Sequence, residues 1–259
     1  MKRRIKAWLG AAAYRTGLYR RFFRNRAIIV LFHRVDDRLA GDPLSCTTAE
    51  FDAYCRFFRR YFKVVTLEEL LDRLERGEDI SRHLVITFDD GYLDNHEVAA
   101  ARLRVHGLPA CFFIATNFIG SDHRPWWDAE LPFAPQWMDW QEVRELHYEG
   151  FELGAHTMNH VDLGVVVGGD AVAEITGSRK RLEREIRSEV PFFSYPYGRA
   201  NQITEENREA VRRAGFRCCL SAYGGTVTPG VDFFNLPRVP ISPWFVSPYH
   251  LAFEALRDM

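Results

Sequence analysis

Long apolar runs are missing from this chain: none approaches the ~18 uncharged residues of a membrane-spanning helix, so no span is expected. Cysteine is sparse and odd in number. Cys46, Cys55, Cys111, Cys218 and Cys219 show no CxxC spacing, which excludes a disulfide-stapled scaffold and reads as buried free thiols in a reducing compartment. A glycine-rich phosphate-binding pattern is absent, as is the HExxH signature of zinc peptidases. Repeats, low-complexity tracts and linkers are also absent, so nothing splits the 259 residues into two folded units. No acidic residue precedes Asp36, whereas ten of the 34 bases do. The remainder carries 24 bases against 35 acids, net −11, and such a body would repel nucleic-acid phosphates.

What is present suits one sizeable core: 47% of residues are apolar, and 27% charged is too mixed a composition for a disordered tail. Residues 1–26 read as a basic amphipathic arm and residues 27–259 as the body. In the arm, Ile5, Trp8, Leu9, Ala12, Leu18, Tyr19, Phe22 and Phe23 recur near helical spacing with Lys and Arg opposite, as in helices that lie on anionic membranes. A basic helix packed on the acidic body fits the same pattern. MKRRIK followed by the apolar stretch 7–13 also resembles a secretory signal, although Gly10 interrupts it and Arg15, Arg20 and Arg21 follow at once. The expected location is cytoplasmic, with peripheral contact at the inner membrane face through residues 2–26; periplasmic or secreted is the alternative.

From Ala27 onward short β-branched runs alternate with amphipathic helices, the pattern of a parallel sheet. The runs are AIIVLF (27–32), LVITF (84–88), ACFFIA (110–115), FELGA (151–155), PFFSY (191–195) and FRCCLS (216–221). Helices are expected between them, one started by Asp139 and one by a Thr66/Glu69 capping box. Polar residues follow the runs: His33, Asp89 with Asp90, Asn117, His156, and Pro196-Tyr197-Gly198. In a parallel α/β barrel all strand C-termini open on one face, so these residues predict a polar site at a barrel mouth.

HTMNH (156–160) places His156 and His160 at i and i+4, which share one face if the segment is helical. HxxxH alone is weak evidence. Asp89 and Asp90, adjacent at a strand end, strengthen it, because two carboxylates so close cannot both ionise freely unless something neutralises them. A divalent metal on one acid does that and leaves the other as a base. Asp, His and His with an open fourth position is the ligand count of a catalytic zinc site.

TFDDG (87–91), HTMNH (156–160) and SYPYG (194–198), in this order, resemble the first three motifs of the polysaccharide deacetylases, carbohydrate esterase family 4, the NodB-homology domain. The resemblance covers roughly residues 27–245. It implies a distorted (β/α)7-type barrel, Asp89 as catalytic base, Asp90, His156 and His160 as metal ligands, and Tyr197 in the oxyanion site. Two departures stand out. Many relatives carry an arginine where this chain has Ser194, and the family's C-terminal motif with its catalytic histidine is absent, His250 lying in another context. A subgroup similar to the poly-N-acetylglucosamine deacetylases has a permuted barrel with a histidine after the first strand. VLFHRV (30–35) is similar to that pattern, which makes His33 the general acid, and NLPRV (235–239) then brings Arg238 to Asp89. A core histidine at His33 and a structural ion pair at Arg238 are the competing readings.

The implied reaction is hydrolysis of an N-acetyl group on an amino sugar of a polysaccharide or lipid-linked glycan precursor. The metal activates a water, Asp89 takes its proton, the Tyr197 N–H and the metal hold the oxyanion, and His33 protonates the leaving amine. Zinc is the first expectation for the cofactor, with cobalt, nickel, manganese and iron(II) as alternatives. Substrate contacts are expected from Asn117, Trp127, Tyr195 and Pro196, with Trp126, Phe133 and Trp137 in the same aromatic loop as Trp127. Two other functions stay open: a catalytically silent glycan-binding module, supported by Ser194 in the arginine's place, and an amidase of the same chemistry acting on a non-sugar amide.

Overall fold

The computed structural model describes residues 1–257. The chain opens with α1 (Lys2–Arg15) and α2 (Tyr19–Phe22) and then enters β1 (Ala27–Phe32). A small parallel pair, β2 (Arg34–Val35) with β3 (Ser45–Cys46), precedes α3 (Thr48–Tyr61), β4 (Lys63–Val64), α4 (Leu67–Glu75) and β5 (His83–Phe88). Next come α5 (Ala101–His106), which continues a wider helical turn Asn95–Ala100, then β6 (Cys111–Ile114), α6 (Trp140–Tyr148) and β7 (Glu152–Ala155). The chain then runs through α7 (Gly168–Ile186), β8 (Phe192–Ser194), α8 (Glu205–Arg213), β9 (Cys218–Gly224), β10 (Thr226–Val227), β11 (Leu236–Pro240) and α9 (Pro248–Arg257).

Seven of these strands close on themselves. β5, β6, β7, β8, β9 and β11 pair in that order, all parallel, and β1 joins β11 to β5. The result is the expected (β/α)7-type barrel with helices outside it. β4 extends the sheet beyond β5, and β10 lies antiparallel to β1. The seventh barrel strand, β11, is not among the β-branched runs, because Pro237 and Pro240 weaken its strand signature. The same prolines donate no ladder bonds, and the β11–β9 register shifts between Leu236 and Arg238.

Period-two alternation sorts the strand side chains. Ile28, Val30, Phe32, Leu84, Ile86, Phe88, Phe112 and Ile114 pack outward beneath Phe51, Tyr54 and Phe58 of α3 and their neighbours. Ala27, Ile29, Val85, Cys111, Phe113, Phe192, Cys218, Leu220 and Leu236 fill the barrel. Burying each large apolar side chain contributes ~1.5–3 kcal/mol, which is why the cysteines belong here as small apolar residues. All five are buried free thiols. Gly154 on β7 has a steric reason: a Cβ there would lie 2.3 Å from Phe113 Cε1, so only glycine admits that ring.

Helix starts follow local chemistry. Asp139 and Glu142 form a reciprocal capping box at α6, as Thr47 and Glu50 do at α3. At α4 only half of the expected box forms: Thr66 accepts from the Glu69 N–H, but the Glu69 carboxylate pairs with Arg73. The Glu152 carboxylate takes the N–H groups of Leu67 and Glu68 instead, at 2.7 and 2.8 Å.

Candidate active site

The inward alternation does not stop at the strand ends. His83, Val85, Thr87 and Asp89 fall on one side of β5 and its extension, as do Ala27, Ile29, Leu31 and His33 on β1. Gly154 and His156 do the same from β7, Phe192 and Ser194 from β8, and Leu236 and Arg238 from β11. The polar members of these series meet at the mouth. His33, Asp89, Asp90, Trp126, Trp127, His156, His160, Tyr195, Tyr197 and Arg199 line one cavity of about 340 Å³ together with Leu31, Leu44, Ala222 and Pro240.

Asp90, His156 and His160 form one cluster. Their ligand atoms lie within 4.8 Å of one another, and all three residues are buried. His156 Nε2 and His160 Nε2 approach Asp90 Oδ1 at 3.4 and 3.3 Å. That oxygen is buried without a hydrogen-bond partner among the described residues. His156 Nδ1 donates to the Ser194 carbonyl at 2.7 Å, which fixes the ring and leaves Nε2 as the lone-pair nitrogen. An unsatisfied carboxylate oxygen facing two imidazole nitrogens, one already oriented from behind, fits a divalent cation. Burial pushes the Asp90 carboxyl up, but attraction to His160, with His156 and His33 behind it, reverses this and holds it well below its ordinary value.

The segment carrying the two histidines is not helical, contrary to the condition set on the HTMNH spacing. It is a loop after β7, with Thr157 and His160 in the left-handed region at φ 61° and 53°. Glu174 on α7 holds the loop, accepting from the N–H groups of Met158 and Asn159 and from the Asn159 amide. Tertiary bracing therefore substitutes for helical periodicity. Asp90 (φ 81°) and Tyr197 (φ 60°) share this backbone class. Each of the three motifs thus carries a left-handed non-glycine residue, a conformation costing ~1–3 kcal/mol that persists where the surroundings over-determine it.

Asp89 has a different partner from its neighbour. Arg238 grips it at both oxygens, Nη1 to Oδ1 at 2.8 Å and Nη2 to Oδ2 at 2.7 Å. Ser194 Oγ lies 2.7 Å from Arg238 Nη2 and donates to Asp89 Oδ2 at 3.1 Å. Arg238 also donates to Thr87 Oγ1 and to the Ser221 carbonyl, and its ring-facing carbon lies 5.7 Å from the Phe113 centroid. Burial raises the Asp89 carboxyl, and Arg238, followed by His156, outweighs it and keeps the group below its ordinary value. His33 sits in the same cavity with its buried Nδ1 unpartnered among the described residues. Burial lowers its pKa, against the pull of Asp90 and Asp89.

The remaining candidates separate. Trp127 stands in the cavity, its ring 4.6 Å from His160 and 6.0 Å from Tyr197. Tyr197 packs on His160 at 4.8 Å, and its N–H donates to no group among the described residues. The Tyr195 side chain turns into the outer core, its hydroxyl meeting Cys219 and the Phe234 carbonyl. Pro196 is buried with its carbonyl on the Gly198 N–H and is not among the cavity-lining residues. Asn117 lies outside the cavity as well: its amide donates to Asn159 and its N–H to the Met158 carbonyl, steadying the histidine loop. His250 is buried against Trp244, away from the mouth.

Sequence reasoning missed the bracket behind Trp127. Trp127 Nε1 donates to the Tyr92 hydroxyl, Tyr92 to Asp128 Oδ2, and buried Arg34 pairs with Asp128 and Asp42 at 2.7 Å each. It also missed Glu174 and Arg199. Only Arg199, next after SYPYG, carried a positional signal.

Comparison with known proteins bears on the family and the fold. A family model described as polysaccharide deacetylase matches residues 76–219. The poly-β-1,6-N-acetyl-D-glucosamine N-deacetylase of Staphylococcus epidermidis is 25% identical over 245 residues, covering 86% of this chain and 81% of that protein. The fold is similar to that of IcaB from Ammonifex degensii, with TM-score 0.74 and 21% identity over 90% of this chain and 97% of that one. It is also similar to the Streptococcus pyogenes deacetylase PplD in complex with acetate, with TM-score 0.73 and 20% identity over 87% and 96% of the two chains.

Proposed function

The chain belongs to the polysaccharide deacetylase family, and from that premise we propose that it removes N-acetyl groups from the amino sugars of a polysaccharide or lipid-linked glycan, by metal-dependent hydrolysis. The family implies an acetylated glycan as substrate. The name of the S. epidermidis relative makes β-1,6-linked poly-N-acetylglucosamine the first polymer to test.

One observation carries the reading: two carboxylates adjacent in sequence are given opposite partners. Asp90 faces two imidazoles, and Asp89 faces a guanidinium. Asp90, His156 and His160 would hold a divalent cation, which when bound supplies Lewis-acid polarisation of the acetyl carbonyl and a lowered pKa for water. Asp89 accepts the proton of the attacking water. Arg238 keeps it ionised and aimed, taking the place of the arginine that relatives carry at the Ser194 position. Ser194 contributes by bonding both members of that pair. The Tyr197 N–H, without an acceptor among the described residues, is available to the oxyanion that develops on the carbonyl oxygen. His33 protonates the departing amine, and a pKa depressed by burial makes its imidazolium the stronger donor. Trp127 and Tyr197 present apolar ring faces against which the sugar is held.

The test is acetate release from N-acetylglucosamine oligomers, compared with small N-acetyl amides, with and without chelator. Asp89→Asn is expected to keep metal binding and lose about 10²–10⁴ in turnover, the usual contribution of a positioned base. Full activity in that variant, or none on any N-acetylated sugar in the metal-loaded protein, overturns the proposal.

A further inference from the structure

Helix α1 is fastened to the body by one face only. Gly10 meets α9 so closely that a Cβ there would lie 2.1 Å from the Tyr249 carbonyl oxygen. One turn on, Tyr14 is buried, stacked on Tyr19 at 4.3 Å and edge-on to Tyr61 at 5.2 Å. Tyr19 donates to the Tyr61 carbonyl at 3.1 Å, so the arm is tied down at both ends of this aromatic cluster. With Gly10 and Tyr14 inward, helical spacing turns Ile5, Trp8 and Ala12 (i, i+3, i+7) outward. Ile5 is 50% exposed and Trp8 70%, with Leu9 beside them at 42%. Nothing in the described fold covers this strip.

Basic residues frame it. Lys2, Arg4 and Arg15 are exposed along α1, and Arg20, Arg21 and Arg24 follow in the next turns. Of the bases in residues 2–26, only Lys6 forms an ion pair among the described residues, with Glu254. The arm's charge is therefore not spent on the acidic body. An apolar strip with an exposed tryptophan, rimmed by bases that have no carboxylate partner among the described residues, matches the two halves of a bilayer surface: acyl chains beneath, anionic headgroups around. We propose that the outer face of α1 docks this protein on an anionic lipid surface, with Ile5, Trp8 and Leu9 entering the headgroup boundary and the flanking bases contacting lipid phosphates.

The full chain is to be sedimented with vesicles of phosphatidylcholine alone and of phosphatidylcholine mixed equally with phosphatidylglycerol. Binding to the mixed vesicles, weakened by added salt and slight on phosphatidylcholine alone, is expected. Each base at such a surface strengthens binding about fivefold, so Lys2→Gln with Arg4→Gln should weaken it roughly 25-fold. Trp8→Ala should weaken binding to the mixed vesicles while leaving acetate release from a soluble N-acetylglucosamine oligomer unchanged, which shows the variant folded. No vesicle binding overturns the proposal, as does equal binding to both lipid mixtures. Unchanged binding by the Lys2/Arg4 double variant does the same. So does occupation of the strip by a second copy or by DNA without any vesicle binding.

Discussion

Replacing Arg238 by methionine tests how the site is held together. The guanidinium is buried and makes five hydrogen bonds, to Ser221, Thr87, both oxygens of Asp89 and Ser194. Methionine fills much of that volume without charge, leaving Asp89, whose side chain is 4% exposed, as a carboxylate without its counterion. Removing one partner of such a desolvated pair costs about 3–5 kcal/mol, most of it the uncompensated charge. The loss has a definite pH dependence. In the native protein Asp89 lies below its ordinary value of 3.8, so its pairing contributes stability above that value and loses it as pH falls through the folded one. In Arg238→Met only the imidazoles and the Ser194 hydroxyl oppose burial, and the folded pKa of Asp89 rises. The deficit is then smallest in acid and grows as pH increases. Adding Asp89→Asn to Arg238→Met removes the stranded charge and should recover most of the loss. The assay is urea unfolding of chelated protein at about pH 5 and about pH 8, with the four proteins forming a double-mutant cycle. A loss below ~1 kcal/mol at the higher pH, the scale of an exposed ion pair, would refute the reasoning. So would a double variant no more stable than Arg238→Met.

Asp90→Ala and His156→Ala are expected to lose both metal binding and acetate release, read by calorimetric titration with zinc; retained stoichiometric binding in either would remove that residue from the ligand set. At the opposite end of the barrel, burial pushes the Glu152 carboxyl up to about 7 from an ordinary 4.5, despite its bonds to the start of α4. A raised folded value means its contribution is present below pH ~4.5 and is lost as pH rises through ~7. After allowance for its partial exposure, Glu152→Gln should therefore gain about 2 kcal/mol on the native protein between those pH values in urea unfolding. A difference independent of pH would show that Glu152 stays ionised throughout.

Much of the fold was legible because burial on both faces leaves a mark in composition. Six barrel strands announced themselves as β-branched runs, and the polar residues after them share the polarity of a parallel barrel. β11 escapes because Pro237 and Pro240 suppress the strand signature, although the family resemblance points to Arg238 between them. At the site, the HxxxH spacing pointed to the two imidazoles that meet Asp90 for an inapplicable reason, since a loop pinned by Glu174 brings them together. Asn117 followed a strand but serves that loop from outside the cavity. The Arg34–Asp128–Tyr92 bracket was illegible, its members lying up to 94 residues apart.

Local order determined which residues could alternate inward along each strand, and therefore that Asp89, His156, Ser194 and Arg238 would point the same way. That information is short-range, because the pleat repeats every two residues whatever lies across the sheet. Only closure of the barrel decided that Arg238, 149 residues from Asp89, would be the guanidinium that holds it. Choosing a partner for a buried charge depends on which strands become neighbours and how much water they exclude, and neither exists until the chain has folded.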